Sequence, residues 1–430
     1  MYGFSAHKSH TYEDCCNSIM IISSVGRKYR RRRALFRYAL SFALILFVII
    51  VLQQWVPGFE KTNLTGSHLP QPNKKILKGT QLLYNLQFDD AEEVFQEVIA
   101  EFPEKPVGYF YLAMVTWSRM VAGFWSHDTV DEYKKRIDRT VRVAKTRVKN
   151  NTADSYDYFY LGGALGFQGR FNMMREKWFS SFLIAKKAIK ALKTCIKMDP
   201  DNRDVLLGLG TFDYYTARLS GTLKFLSYFL LHKGDTREGL RKLHIAAEEA
   251  IYSGTETKSV LLHIYLFLEE DCSKALPLAR DLGKRYDKDP AYKLFEGVAC
   301  VRLGLESEYS DALSYIRQRG LQSFSTNTKL LWHSRAIYLE SIHDLFHARY
   351  PEARLKLKEI LKYSDPENDP AMIAWPIVKI GMTYDLEGNR KEAKKYYRQI
   401  LEMENGSGAQ FMAERCLKKP PKEKDPIIGY

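Results

Sequence analysis

The sequence predicts an all-α chain, a right-handed α-solenoid of about eight helix pairs preceded by one transmembrane helix. Three observations carry that expectation. Apolar residues recur at helical spacing almost without a break from Lys74 to Lys418. Two segments at opposite ends of that region share one pattern of small, alanine and aromatic positions. Ahead of both, a run of arginines stands before an uncharged stretch of 19 residues.

Composition bounds the rest. A chain of 430 residues, 45% hydrophobic and 27% charged, can bury a sizeable core, and its 27 Tyr and 23 Phe speak against long disorder. Of the net charge of +14, residues 1–73 supply +6, from nine Lys and Arg against three Asp and Glu. The +8 that remains fits a solvated helical surface. No basic stripe interleaved with aromatics stands out, so nucleic acid is not an expected partner. The six cysteines, Cys15, Cys16, Cys195, Cys272, Cys300 and Cys416, form neither a C-x-x-C pair nor a regular framework. Cys195 and Cys300 fall on apolar helical faces, where a thiol acts as a small hydrophobe.

Taken in order, residues 1–26 are a short cytoplasmic segment, and a start at Met20 would leave a compact basic leader. The basic flank, 27–37, holds Arg27, Lys28, Arg30, Arg31, Arg32, Arg33 and Arg37. The uncharged stretch 38–56 opens on Tyr38 and closes on Val56, and at ~1.5 Å per residue it matches a hydrocarbon layer of ~30 Å. Trp55 suits the far interface, and Pro57-Gly58 ends the helix. Cations in front and none directly behind predict a single-pass signal anchor with a cytoplasmic N-terminus and everything beyond it extracytoplasmic. In a bacterium that is the inner membrane, with the solenoid facing the periplasm. A cleaved signal peptide is the rival, because the purely apolar heart, Ala39 to Leu52, is short. Against it, Gln53-Gln54-Trp55 is a poor cleavage site. Residues 57–73, with Pro57, Pro70 and Pro72, read as a linker.

The helical region, 74–418, repeats. "ILKGTQLLYNLQFDDAEEVFQEVIAEFP" places Gly79 twelve residues before Ala91, with Phe95 and Val98 following at four and seven. "IVKIGMTYDLEGNRKEAKKYYRQILEM" does the same with Gly381, Ala393, Tyr397 and Ile400. A small residue lets two antiparallel helices approach, and the aromatic is expected to fill the notch against the next pair. Degenerate versions recur: Gly162 with Ala188 and Leu192; Gly210 with Gly239 and Leu243; Ala275 with Ala279; Gly297 with Ala312 and Ile316; Ala353 with Leu357. Tyr109 to Val148 supplies a further pair. This pattern resembles the tetratricopeptide repeat, a helix–turn–helix of about 34 residues. The central run of Gly208, Gly210, Phe212, Leu219, Lys224, Leu226, Gly234-Asp235, Gly239 and Leu240 is similar to the tetratricopeptide-39/inclusion-body-clearance family. That likeness implies common architecture for the segment. The tail, 419–430, is too rich in proline and charge to join a solenoid.

Catalytic motifs are weak. Gly208-x-Gly210 lacks the third glycine and the preceding strand that dinucleotide binding needs, and Gly162, Gly163, Gly166 and Gly169 precede no Lys-Ser/Thr. "DPDNRD" (199–204) has neither the glycine nor the glutamate of a calcium loop. "HDLFH" puts His343 and His347 on one helical face, with Asp344 where a zinc protease carries its glutamate, but no third ligand is assigned. The apolar stretch 223–231 is too short to span a bilayer and packs within the solenoid or touches a membrane.

The resemblance implies a concave groove that holds a peptide or partner helix. Repeat offsets place Trp117, Tyr156, Phe167, Tyr214, Tyr215, Trp375 and Met382 toward it, with Asp385 among them. Gly79, Ala91, Phe95, Gly162, Gly210, Gly381, Ala393 and Tyr397 are packing positions. The expected function is a membrane-anchored scaffold for a protein partner, with no catalysis, metal or cofactor. The alternatives are a metal-dependent hydrolase at HDLFH and a lipid-associated organiser.

Overall fold

The computed structural model describes residues 73–121, 126–175, 177–218, 234–323, 326–364, 369–403 and 409–422. The expected membrane helix at 38–56, the apolar stretch 223–231 and most of the tail lie outside them. Among the described residues no helix is long and apolar enough to cross a membrane. Every described residue belongs to one compact unit, Gly66–Tyr430.

That unit holds seventeen helices and no strand among the described residues. They fall into eight antiparallel pairs and a closing helix: α1 (Lys74–Tyr84) with α2 (Phe88–Glu101), α3 (Pro106–Val121) with α4 (His127–Lys149), α5 (Ser155–Met174) with α6 (Trp178–Met198), α7 (Val205–Ala217) with α8 (Thr236–Glu249), α9 (Gly254–Phe267) with α10 (Cys272–Arg285), α11 (Pro290–Leu303) with α12 (Glu306–Gln322), α13 (Thr326–Phe346) with α14 (Tyr350–Ile360), α15 (Ala371–Leu386) with α16 (Arg390–Leu401), then α17 (Ala409–Lys418). Short polar side chains start many of them. Asn73, Ser126, Asp235, Asp271, Asp289 and Asn389 each accept a backbone N–H of the first turn, and Asp154 forms a capping box with Asp157.

The turn inside a pair also repeats. Leu86, Glu270, Gly304, Ala348 and Gly388, in pairs one, five, six, seven and eight, all take positive φ between 57° and 82°. Only two are glycine, so the other three each carry a cost of about 1 kcal/mol that packing must offset. Successive first helices touch along the series α1–α3–α5–α7–α9 and again along α11–α13–α15, while each second helix packs on its own partner and on the next first helix.

Gly79 lies against the ring of Phe95, and a Cβ on Gly381 would meet Tyr397 Cε1 at 2.6 Å. The aromatic therefore fills the notch within its own pair, not against the next pair, because the second helix runs back directly over the glycine. Ala91 and Ala393 are fully buried beside these notches. Gly162 instead takes Leu192, and the notch at Gly297 takes Leu339 of the following pair, not Ala312 or Ile316.

At the α7–α8 crossing two glycines meet. A Cβ on Gly210 would lie 2.9 Å from the Gly239 carbonyl, and one on Gly239 would lie 2.7 Å from the Tyr214 amide. Backbone cannot yield as a side chain can. Gly239→Ala should destabilise the protein by about 2 kcal/mol despite its better helix propensity. Gly166→Ala, on an exposed helical site with nothing within 4 Å, should stabilise it by up to about 1 kcal/mol. Urea unfolding of both variants checks the contrast, and equal effects would show that the crossing is not tight.

Candidate functional site

The inner surface starts from how far α1 reaches. Asn73 donates its amide to Tyr252 Oη (2.8 Å), Tyr84 Oη donates to Glu256 (3.1 Å), and the Tyr84 ring lies 5.2 Å from Tyr286. The first pair thus touches the segment entering the fifth, and aromatic side chains fill the space between them at the starts of α3 and α5. Phe110, Tyr111, Tyr160 and Tyr252 are buried there, and Tyr156 sits 5.9 Å from Tyr252. Asp204, buried at the start of α7, closes this interior: its Oδ1 accepts the Tyr252 and Ser253 amides at 2.8 and 2.7 Å. Burial raises its carboxyl above the usual range, and those hydrogen bonds oppose the rise.

Most residues expected to line an open groove are consumed by such packing. Trp117 is buried 5.4 Å from both Tyr133 and Phe167. Tyr156 is half-buried, and its hydroxyl faces Asp204 Oδ2 at 3.4 Å. Tyr214 is fully buried and donates to Glu269 Oε1. Trp375 and Met382 are buried in α15, a helix buried along most of its length and packed on by α13, α14, α16 and α17. The Asp385 side chain is 1% exposed. It accepts Tyr397 Oη at 2.8 Å and Arg390 Nη1 at 2.6 Å, while Arg390 Nη2 donates to the last carbonyls of α17. Its role is to fasten the closing helix.

Two of the expected residues remain at the surface. Phe167 is half-buried on α5, and Tyr215, next to the buried Tyr214, is 43% exposed on α7. Around them stand Arg170, exposed on α5, and His263 and Phe267, half-buried on α9. The Arg170 charge acts on both the Tyr215 hydroxyl and the His263 imidazole, and α7 packs against both α5 and α9. Arg170 also lies 5.3 Å over the Trp117 ring. His263 packs 5.1 Å from Phe295 and 5.5 Å from Phe267. Burial lowers its pKa, so the ring is neutral at neutral pH. Its Nδ1 donates to the Ser259 carbonyl at 2.7 Å, leaving Nε2 as an acceptor. These residues of α5, α7 and α9 therefore offer aromatic area, one cation and one neutral acceptor, which suits an apolar segment carrying a carboxylate and a donor. Arg170, His263 and Phe267 were not read from sequence. The available signal was spacing: Arg170 follows Phe167 by three residues, and Phe267 follows His263 by four.

The two histidines of HDLFH do gain a third neighbour. Glu306, first residue of α12, brings its carboxylate to 2.9 Å from His343 Nε2 and 3.3 Å from His347 Nε2. The three ligand atoms all lie within 4.8 Å of one another, so together they could hold a divalent cation. The existing hydrogen bonds favour a proton there instead. Arg349 donates to His343 Nδ1 at 2.9 Å, so Nε2 carries the proton it gives to Glu306. His343 is clamped flat on Tyr309 with ring centroids 4.2 Å apart, and its hydrogen bond holds Glu306 below the usual carboxylate range. Asp344, which stands where a protease base would, turns inward to Arg349 (2.9 Å) and Lys356 (2.5 Å). His333 packs against Tyr363 and takes no part. Sequence could not assign Glu306 because it comes from the preceding pair, 37 residues from His343.

The family model of the tetratricopeptide repeat matches residues 377–406, spanning most of α15 and all of α16. Among solved structures the chain is similar to yeast Tom70 at 11% identity, over 79% of this chain and 94% of that one, with a TM-score of 0.37. It is similar to the C-terminal part of a TPR repeat-containing protein from Cytophaga hutchinsonii at 13% identity, over 80% and 99%, with a TM-score of 0.27. The P58(IPK) TPR domain gives 14% identity over 79% and 88%, with a TM-score of 0.21. No curated protein matches the sequence, and the likeness of Gly208 to Leu240 to the tetratricopeptide-39 family stays a resemblance of that segment alone. The repeat match is confined to α15 and α16, and the paired helices that carry the same glycine–aromatic notch at both ends of the described region repeat its helix–turn–helix pattern.

Proposed function

We propose that the chain is a membrane-anchored scaffold that holds a protein partner on the inner band of α5, α7 and α9. The observation that carries the reading is that Arg170 and Tyr215 are exposed and Phe167, His263 and Phe267 half-buried on three successive first helices. Elsewhere first helices such as α15 are buried almost throughout. Aromatic side chains give large contact area at small entropic cost, and an Arg among them selects a carboxylate. The partner is thus a peptide or helix pairing an apolar face with an acidic residue. The sequence supports tethering through 38–56, with the N-terminus cytoplasmic and the solenoid across the membrane, where it acts by recruitment and without catalysis. In support of a non-catalytic role, Asp344, which stands where a protease base would, is engaged by two cations.

A photo-crosslinking amino acid at Tyr215, in cells that make the protein, should trap one discrete adduct. The adduct should be lost in Arg170→Glu/Phe267→Ala and absent when the probe stands at Lys358 on α14. Identical adducts from both positions, or none from Tyr215, would refute the inner band as the partner site.

A further inference from the structure

The strongest feature that the inner band leaves unused is the outward face of α6. Residues 170–197 contain eight Lys and Arg against one acid, Glu176, and α6 itself has no acidic residue. That is half of the chain's net charge of +14 in one helical hairpin. Lys186, Lys190, Lys193 and Lys197 follow one another at spacings of four, three and four, which puts them on one stripe. All four are exposed, opposite the buried face of Ala188, Leu192 and Cys195. Among the described residues none of the four has an ion-pair partner, whereas lysines elsewhere, such as Lys105, Lys242 and Lys356, do.

The same stripe continues toward the start of α6 with Phe179 and Leu183, which precede Lys186 at helical spacing. Both are exposed, as are Trp178, Met173 and Met174 around the α5–α6 turn, all five between 39% and 50%. Large apolar side chains gathered at one end of an unpaired lysine stripe need an explanation that charge alone does not give. From Phe179 to Lys197 the stripe is ~27 Å long and straight, as a planar partner requires.

We propose that this face of α6 lies on an anionic membrane surface. Trp178, Phe179 and Leu183 would enter the interfacial layer, and the four lysines would meet lipid phosphates along the helix. Charge complementarity argues for an anionic partner, and the apolar end argues for a bilayer. Leu183 and the two methionines suit acyl-chain boundaries and offer a nucleic acid neither a stacking ring nor a base-directed polar group. Because α6 is a second helix, its free face points away from the inner band, so lipid and protein partner can bind together. The contact fixes the orientation of the solenoid on the bilayer. It uses residues other than 38–56 and stands whether or not that stretch is an anchor.

The test uses the full chain with an environment-sensitive amino acid at Ser180, which is exposed beside Phe179. The probe is read in nanodiscs or with added vesicles, made of phosphatidylcholine alone or with about a third phosphatidylglycerol. The expected result is a blue shift and quenching by bilayer-depth quenchers in the anionic membranes only. Apparent affinity should fall at least ~10-fold in Lys186→Glu/Lys190→Glu/Lys193→Glu/Lys197→Glu, and the blue shift should vanish in Trp178→Ser/Phe179→Ser. Lys284→Glu/Lys288→Glu, a charge change elsewhere, should leave both unchanged, and circular dichroism should confirm that each variant is folded. No shift in anionic membranes, or an equal shift in the quadruple variant, would overturn the proposal. So would an RNA oligonucleotide that shifts the probe more strongly than vesicles do. A chain that fails to stay in nanodiscs but responds to added anionic vesicles would remove the anchor and keep this face.

Discussion

Arg335→Ala is expected to lower the stability of the protein by about 3–5 kcal/mol. Arg335 is among the largest fully buried side chains. It sits in the middle of α13, where its Nη1 donates to Asp369 Oδ2 at 2.6 Å and to Ser334 Oγ at 3.0 Å. Asp369 accepts the Met372 amide at the start of α15. Asp289, the cap of α11, also feels the Arg335 charge: burial lifts its pKa to about 6, and the guanidinium opposes that rise. One cation therefore serves the starts of the first helices on either side of its own. Truncation would leave the half-buried Asp369 and Asp289 carboxylates facing a cavity without their cation, and the desolvation they keep sets the size of the loss. The sign with pH follows from Asp289. Its folded pKa lies above the ordinary 3.8, so its protonated form favours folding, fully so below that value and progressively less as pH rises through about 6. The loss in Arg335→Ala should accordingly be larger at pH 8 than at pH 5. Urea unfolding at the two pH values measures it. A loss below about 1 kcal/mol would mean that the pair contributes no more than a surface ion pair.

What was legible in the sequence, and what was not, divides along physical lines. Contacts between helices joined by one short turn were readable, since a glycine and an aromatic at fixed offsets must meet if the helices are antiparallel. Gly79 with Phe95 and Gly381 with Tyr397 are such contacts. The number of pairs was readable for the same reason. Contacts set by the accumulated rotation of several pairs were not. Nothing local says that Asn73 will reach Tyr252, 179 residues on, yet that closure turns part of the expected groove, at the starts of α3 and α5, into aromatic core. Adjacent positions fared worst: Tyr214 and Tyr215 are about 100° apart on a helix, so one is buried and the other exposed, and an offset uncertain by one residue cannot separate them. The lysine stripe of α6 was present in the sequence but hidden in a total charge that local spacing had to resolve.

Lys379→Met should raise stability at neutral pH by about 2–4 kcal/mol, with the gain shrinking as the solution is made alkaline. Lys379 is fully buried in α15, its amine 5.8 Å from the Trp375 ring. Desolvation lowers its pKa from 10.5 to about 7; Cys416 on α17 opposes that fall slightly, and Arg302 on α11 adds to it. A lysine in an unfolded chain keeps its proton to much higher pH. Between about 7 and 10.5 the unfolded state therefore binds more protons than the folded one, and stability rises with pH across that window. Below about 7 both states are protonated, so the full cost of burying the charge is present. Methionine has a similar length and no charge, so it removes this cost while filling the same volume. Buried tyrosines also titrate at alkaline pH, so the informative quantity is the difference between Lys379→Met and the parent, in which their contribution cancels. That difference should be largest near pH 6 and close to zero near pH 10. A difference that stays flat across the range would show that Lys379 keeps an ordinary pKa. A negative difference at every pH would show that the amine stabilises α15 outright.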